Sequence, residues 1–182
     1  RTHGIPKDMM EKVKSISPNY CNATCPFVTK IHKIVSENSL KENVTLIAGD
    51  KSHPEVIGIR SYCNGRSFVF NSEKELDEII ENHPDLSKNG LILVSQTTFS
   101  TKIFEKCVKK IKMVYTNAVI FDTICNATWA RQQEAEDLSQ KCDHMVVIGG
   151  HHSSNTQKLL QVAARHTKAI NVETADELDK DW

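Results

Sequence analysis

Two cysteines lie where a strand-like pattern gives way to a helix-like one, and they are the first candidates for chemistry. Cys25 precedes Pro26, a residue favoured at the first position of a helix, and Cys125 follows the apolar run 118–124. At a helix N-terminus the dipole and the free N–H groups favour the thiolate, which ligates iron or attacks an electrophile. A free cysteine is as often a small buried hydrophobe, so position alone leaves both interpretations open.

A second candidate site is the segment His53-Pro54-Glu55, which belongs to a polar cluster after the predicted strand 44–49. An imidazole and a carboxylate two residues apart suit proton delivery if both face a cleft. Without further context, a turn with solvated charges is the simpler interpretation. Thr97 lies in a comparable cluster, 95–100, which follows another predicted strand.

The segment 149–156 combines two glycines with hydroxyl and amide side chains just before a predicted helix. Loosened backbone N–H groups and the side chains of Ser153, Ser154 and Asn155 would cradle an anion such as a phosphate. The alternative is that Ser154 or Asn155 only caps the helix and that His151 and His152 are solvated.

The other cysteines give weaker signals. Cys21 and Cys25 have the spacing C-x3-C, which alone is a weak indication of zinc. Cys107 and Cys142 lie within or at the end of predicted helices, where we expect them to pack. The role of Cys63 stays open.

The elements that must position these residues alternate between strands and helices. Apolar, β-branched runs predict strands at 44–49, 67–70, 91–94, 118–124, 145–149 and 169–172, and helical spacing fills the intervals. A first helix opens at Pro6, with apolar positions Met9, Val13 and Ile16. This alternation indicates an α/β fold with mostly parallel sheets, in which polar residues gather at the strand ends.

Composition excludes several classes of protein. Among 182 residues, 23 Lys and Arg balance 23 Asp and Glu, which disfavours a protein that coats nucleic acid. No apolar run reaches the roughly 18 residues needed to span a bilayer, so we expect no membrane partner. Six scattered cysteines favour a reducing compartment. The start at Arg1 and the capping pattern 174–177 just before Trp182 lead us to expect an interior piece of a longer protein.

Together these stretches resemble the 4-hydroxy-3-methylbut-2-enyl diphosphate reductase family, an iron-sulfur enzyme of the methylerythritol phosphate route to isoprenoids. The resemblance rests on motifs that occur in the family's order along the whole chain: Thr2-His3-Gly4-Ile5-Pro6, the segment from Ala23 to His32 around Cys25, His53-Pro54-Glu55-Val56, Gln96-Thr97-Thr98-Phe99-Ser100, Cys125-Asn126-Ala127-Thr128 and Ser153-Ser154-Asn155-Thr156. His151, His152 and Trp129 depart from the usual pattern without removing a required group.

The resemblance implies a trefoil of three α/β domains around a central 4Fe-4S cluster, with one cysteine ligand from each domain. Residues 1–24 would end the first domain, 25–124 would form the second, and 125–182 would form an incomplete third. Cys25 and Cys125 would be two of the ligands, and the third would lie upstream of Arg1. Two such lobes are therefore expected in this chain, which alone would be inactive.

The resemblance also implies roles in the reductive dehydroxylation of an allylic diphosphate to isopentenyl and dimethylallyl diphosphate. Glu55 would deliver the proton, and His53 and Thr97 would act near the substrate hydroxyl. The diphosphate would be held by His3, Ser153 and Asn155, with Ser154 adjacent. Electrons would come from a ferredoxin or flavodoxin, and the compartment would be the bacterial cytoplasm, with a plastid not excluded. The alternatives are a non-catalytic metal-binding or regulatory module and a thiol enzyme that uses Cys25 or Cys125.

Overall fold

The structure is a computed structural model that describes residues 2–39, 42–88 and 90–178. The chain divides after Thr123 into two compact units. The first unit contains, in chain order, α1 (Lys7–Ile16), α2 (Pro26–Asn38), β1 (Val44–Ala48), α3 (Pro54–Ser61), β2 (Arg66–Phe70), α4 (Glu73–Asn82), a 3-10 helix (Pro84–Lys88), β3 (Leu91–Ser95), α5 (Thr101–Val114) and β4 (Ala118–Ile120). The predicted division into domains stays a prediction.

A four-stranded parallel sheet with the order β2-β1-β3-β4 forms the centre of this unit. Every residue of β1 and β3 is buried, as expected for central parallel strands covered on both faces. The two strands pair directly, and Ala48 lies opposite Ser95. The loops that follow β1 and β3 therefore leave the same edge of the sheet at the same level.

One face of the sheet is covered by α2 and α3. Helix α2 presents Val28, Ile31 and Val35 at helical spacing, and all three are buried. A core cluster joins Ile31 and Val35 to residues of α3 and of the strands, namely Ile47, Val56, Ile59, Val69 and Val94. This packing fixes the start of α3, where His53 and Glu55 lie, against the ends of the central strands.

The second unit contains α6 (Asn126–Ser139), β5 (His144–Ile148), α7 (Ser154–Ala163), β6 (Lys168–Val172) and a 3-10 helix (Ala175–Glu177). Its two strands are parallel and pair in register from His144 with Lys168 to Ile148 with Val172. The predicted α/β class with parallel sheets is confirmed in both units. The described residues contain no helix that combines the length and the apolar character needed to cross a membrane.

The predicted strand 118–124 is wrong in its second half, because β4 ends at Ile120. After one more backbone hydrogen bond, from the Phe121 N–H to the Leu93 carbonyl at 2.9 Å, the chain leaves the ladder. Beyond this point the Thr123 hydroxyl bonds to β3 in place of backbone groups: it accepts from the Ser95 N–H at 2.7 Å and donates to the Ser95 carbonyl at 2.8 Å. A side chain thus replaces the backbone partners that apolar patterning predicted.

The packing predicted for Cys142 is also wrong, and the first helix packs less than its apolar positions suggest. Helix α1 forms as predicted, but it buries no residue, and Met9 and Ile16 are exposed. Cys142 is exposed, whereas Cys107 is buried as predicted. The capping box at Thr174 and Glu177 is present, but it opens only a three-residue 3-10 helix.

Candidate functional site

The loops after β1 and β3 meet at a buried carboxylate. His53 is the N-cap of α3, and Pro54 takes the first helical position. Glu55 therefore lies in the first turn of the helix, with its side chain directed at the loop after β3. Glu55 is only 1% exposed. One of its carboxylate oxygens accepts from the Thr97 N–H at 2.6 Å, and the other accepts from the Thr97 hydroxyl at 2.8 Å. The interpretation of this segment as a solvated turn is therefore wrong for Glu55.

Burial decides the protonation of Glu55. Removing the carboxylate from water raises its pKa above the usual range, because desolvation penalises the charged form. The two hydrogen bonds from Thr97, and the field of His3, oppose this shift without cancelling it. Glu55 is thus a carboxyl group that retains a proton to higher pH than an exposed glutamate does, which is the property of a general acid.

Two imidazoles lie beside this carboxyl group. The Nδ1 of His53 accepts the Glu55 N–H at 3.1 Å, which fixes the ring next to the acid. His3 approaches with its Nδ1 at 3.9 Å from Glu55 Oε2, and the centroids of the two histidine rings are 5.0 Å apart, nearly perpendicular. His3 keeps 46% of its side chain exposed, so the group opens to solvent on that side.

His3 is held in place by the short segment around Gly4. The Thr2 carbonyl accepts from the Cys25 N–H at 3.0 Å, which ties this segment to the start of α2. Gly4 has a φ of +74°, and a Cβ there would stand 2.9 Å from Cε1 of His32. Only glycine accepts both constraints readily, so Gly4 determines where the His3 ring lies.

His32 is a residue of this region that the sequence reasoning missed. It is 8% exposed, stacks on Tyr62 with ring centroids 4.2 Å apart, and its buried Nε2 has no hydrogen-bond partner. Desolvation lowers the pKa of His32 from 6.5 to about 4. The His32 ring is therefore neutral, and it packs beside Gly4 in the segment that carries His3. Its position four residues after Val28 on the buried face of α2 was the available signal.

Cys25 and Cys125 occupy equivalent local positions, each in its own unit. Each is the N-cap of a long helix, α2 or α6, with extended backbone and no side-chain capping bond. Each is a half-buried free thiol. A thiol that does not cap its helix, stays accessible and lies at the positive end of the dipole fits a ligand of an iron-sulfur cluster. Each unit thus offers one such cysteine.

The segment 149–156 of the second unit is a strand-to-helix turn, as predicted. Ser153, not Ser154 or Asn155, is the N-cap of α7, and its hydroxyl accepts from the Thr156 N–H at 3.4 Å. Gly149 is needed because a Cβ would meet the Thr156 hydroxyl at 2.5 Å. Ser154 and Asn155 are half-buried, and the Oδ1 of Asn155 is enclosed without a hydrogen-bond partner. Both the helix cap and the anion cradle remain compatible with this turn.

His151, for which solvation was one of two interpretations, is exposed and also belongs to a hydrogen-bond network. Asn171 donates its amide to the carbonyls of Val147 and Gly149 at 3.0 and 2.8 Å, which turns its Oδ1 to His151 Nδ1 at 2.8 Å. His151 Nε2 lies 2.9 Å from the Glu177 carboxylate. Both partners present acceptor oxygens, so this arrangement favours the imidazole with both ring nitrogens protonated. The hydrogen bond to Asn171, followed by the one to Glu177, accordingly raises the pKa of His151.

The structure thus brings His3, His53, Glu55 and Thr97 together in the first unit, while Ser153, Ser154 and Asn155 share one turn of the second. Comparison with known proteins gives the following relatives. The protein named 4-hydroxy-3-methylbut-2-enyl diphosphate reductase in Clostridioides difficile is 40% identical over 179 residues, which are 98% of this chain and 63% of that protein. Its namesake in Caldanaerobacter subterraneus subsp. tengcongensis is 42% identical over 179 residues, 98% of this chain and 60% of that protein.

Solved structures agree with these relatives. The E-1-hydroxy-2-methyl-but-2-enyl-4-diphosphate reductase from Plasmodium falciparum superposes with a TM-score of 0.86 at 29% identity, over 99% of this chain and 56% of that one. A structure of (E)-4-hydroxy-3-methyl-but-2-enyl diphosphate reductase, described as the terminal enzyme of the non-mevalonate pathway, gives a TM-score of 0.63 at 32% identity, over 100% of this chain and 64% of that one.

The chain thus spans less than two thirds of the length of the curated relatives described above. The family model described as LytB protein matches residues 1–182, the whole of this sequence. On that match, and on the identity to its relatives, this chain belongs to the LytB protein family.

Proposed function

We propose that the full-length protein is a reductase that removes the hydroxyl group of 4-hydroxy-3-methylbut-2-enyl diphosphate to give isopentenyl and dimethylallyl diphosphate. The observation that carries this proposal is the buried Glu55 carboxyl group, bonded to Thr97 and flanked by His3 and His53. The relatives bear the name of this reductase. The residues of this chain to which the resemblance gives roles are Cys25, Cys125, His3, His53, Glu55, Thr97, Ser153, Ser154 and Asn155.

The chemistry that this chain's own residues supply is proton delivery and anion binding. Glu55 holds a proton at a desolvated carboxyl group, and the Thr97 hydroxyl can donate or accept, so it keeps the carboxyl oriented in either protonation state. The ring N–H groups of His3 and His53 are donors for a diphosphate or hydroxyl oxygen at the open side of the group. Ser153, Ser154 and Asn155 would add donors for the diphosphate from the second unit.

A 4Fe-4S cluster held by Cys25, Cys125 and a third cysteine would supply Lewis acidity and would pass on, one at a time, two electrons from an external donor. With two protons, these electrons replace the C–OH bond by C–H and release water. We assign the electron donor to the ferredoxin or flavodoxin class, and the compartment to the bacterial cytoplasm or a plastid.

The decisive experiment replaces Glu55→Gln in the full-length protein, prepared anaerobically and assayed with an artificial reductant. Gln keeps the size of the side chain and removes its acid, so turnover should fall about 100- to 10,000-fold. Binding of the diphosphate should change much less, because other residues hold it. Glu105→Gln is the matched control, since Glu105 is exposed on α5. Near-normal turnover of the Glu55 variant would remove it from the mechanism.

The same preparation separates the alternatives. An intact protein with full iron and sulfide but no turnover would support the non-catalytic module, whereas turnover that survives loss of iron and is abolished by alkylation would support the thiol enzyme. The burial of Glu55 favours catalysis over binding alone, since burying an ionisable carboxyl group costs stability.

A further inference from the structure

We infer that His3, His53 and Glu55 form a site for a divalent transition metal of the Zn²⁺ type, and that an ion bound there inhibits the reductase. The metal site is independent of the proposed function, whereas the inhibition rests on it. Each of the three residues offers one ligand atom, and these atoms all lie within 4.8 Å of one another. They are the one such group of three among residues 2–39, 42–88 and 90–178.

The donor set selects the class of metal. Two imidazoles and one carboxylate are the ligands of catalytic zinc and of non-haem iron, whereas calcium and magnesium prefer oxygen alone. Three protein ligands also leave a coordination position open to water or to an anionic oxygen. A zinc ion bound here would therefore have three protein ligands and one coordination position open to solvent.

The geometry needs only a small closure. Zinc binds nitrogen and carboxylate oxygen at about 2.0–2.2 Å, so two ligand atoms on one ion stand no more than roughly 4.4 Å apart. His3 Nδ1 and Glu55 Oε2 are 3.9 Å apart and already satisfy that limit. His3 is half-exposed at the open side of the group, so its ring can turn toward an ion without disturbing the core.

The partner residues supply the orientation that metal ligands need. Thr97 fixes the carboxylate through its N–H and its hydroxyl, and the Glu55 N–H fixes the His53 ring through Nδ1. Such outer contacts typically change metal affinity about 10- to 100-fold when they are removed. Here they hold the carboxylate and one imidazole in place before any ion arrives.

The consequence for the reductase follows from the shared atoms. A carboxylate oxygen that ligates zinc carries no proton to deliver, and an imidazole nitrogen that ligates zinc donates no hydrogen bond to the substrate. Bound zinc should therefore lower turnover, and a chelator should restore it without adding iron.

The test uses the full-length protein with its iron-sulfur cluster, titrated with Zn²⁺ in equilibrium dialysis and examined by zinc-edge X-ray absorption. We expect one zinc ion per chain, with nitrogen and oxygen neighbours at about 2.0–2.2 Å and no sulfur at about 2.3 Å. His3→Ala should weaken zinc binding by at least roughly 100-fold, because it removes a ligand rather than an outer contact, and Thr97→Val should weaken it about 10- to 100-fold.

Two control variants address other zinc ligands. Cys21→Ser removes an exposed thiol, and His83→Gln removes a histidine of the same unit that lies outside the group; neither should change the zinc affinity. A sulfur shell around the zinc, or binding that is indifferent to His3→Ala, would overturn the site. Zinc binding with the expected ligands but no loss of turnover would overturn the inhibition.

The metal site and the proposed function fail in different ways. If zinc binds as expected but Glu55→Gln retains turnover in a zinc-free assay, the site stands and the proposed role of Glu55 falls. If turnover requires Glu55 but zinc does not bind to this group, the proposed role of Glu55 stands and the zinc site falls.

Discussion

Gly4 is a position at which a single added methyl group has two separate costs, one from the backbone conformation and one from a close neighbour. In Gly4→Ala the new residue must keep a φ of +74°, which costs about 1–2 kcal/mol for an L-residue. Its Cβ would also stand 2.9 Å from His32 Cε1, and overpacking of this kind costs about 1–3 kcal/mol. The first unit should therefore lose about 2–5 kcal/mol of stability, and the segment that carries His3 should shift.

The assay is amide hydrogen exchange of α2, whose protection reports the free energy of opening of this unit. The contact with His32 is isolated by a double-mutant cycle. In a His32→Ala background the clash is absent and only the backbone strain remains, so Gly4→Ala should then cost about 1–2 kcal/mol. Gly150→Ala is the control, since a Cβ there has its nearest neighbour at 3.6 Å and the φ is not positive. Equal costs of Gly4→Ala in both backgrounds would refute the proposed contact.

Two pH-dependent predictions concern His32 and His151, whose pKa values are shifted in opposite directions. The pKa of His32 falls from 6.5 to about 4 on folding, so between these pH values the unfolded chain binds a proton at this residue and the folded chain does not. The urea midpoint of unfolding should therefore fall as pH drops through this window, and His32→Gln should reduce that fall. The folded-state pKa of His151 is raised by Asn171 and Glu177, so its contribution is complete at low pH and is lost as pH rises through that pKa. Trp129 fluorescence should show His151→Gln destabilising the second unit at about pH 6 more than at about pH 8, and an equal effect at both would contradict the charged network.

The central sheet could be predicted from sequence because its strands are buried on both faces. Continuous apolar runs identify β1 and β3 with nearly correct bounds. A parallel strand that is covered on both faces has no solvent-exposed face, so few polar residues interrupt its apolar pattern. Strand β4 lies at an edge, where tertiary hydrogen bonds decide how far pairing extends. The hydroxyl of Thr123 ends that strand by bonding to Ser95, and apolar patterning carries no information on such a bond.

The meeting of Glu55 and Thr97 could also be predicted in outline, because both follow strands of a parallel sheet and ligand sites form where such strands end. Pairing of β1 with β3 then brings the two loops together. The burial of Glu55 could not be predicted. It depends on Pro54 starting α3 at the sheet edge and on the Thr97 N–H pointing at the carboxylate, which are facts of three-dimensional position.

Residues 2–4 connect two groups that the sequence presents as separate motifs. The Thr2 carbonyl accepts from the N–H of Cys25, His3 faces Glu55, and Gly4 rests on His32. A displacement of the candidate cluster ligand would therefore be transmitted through one peptide segment to the histidine beside the acid. Because Gly4 combines a positive φ with a close neighbour for any added Cβ, the path of this segment depends on glycine at this position. Under the proposed function, this connection would link a cluster ligand to the proton donor, and both have to meet the same substrate.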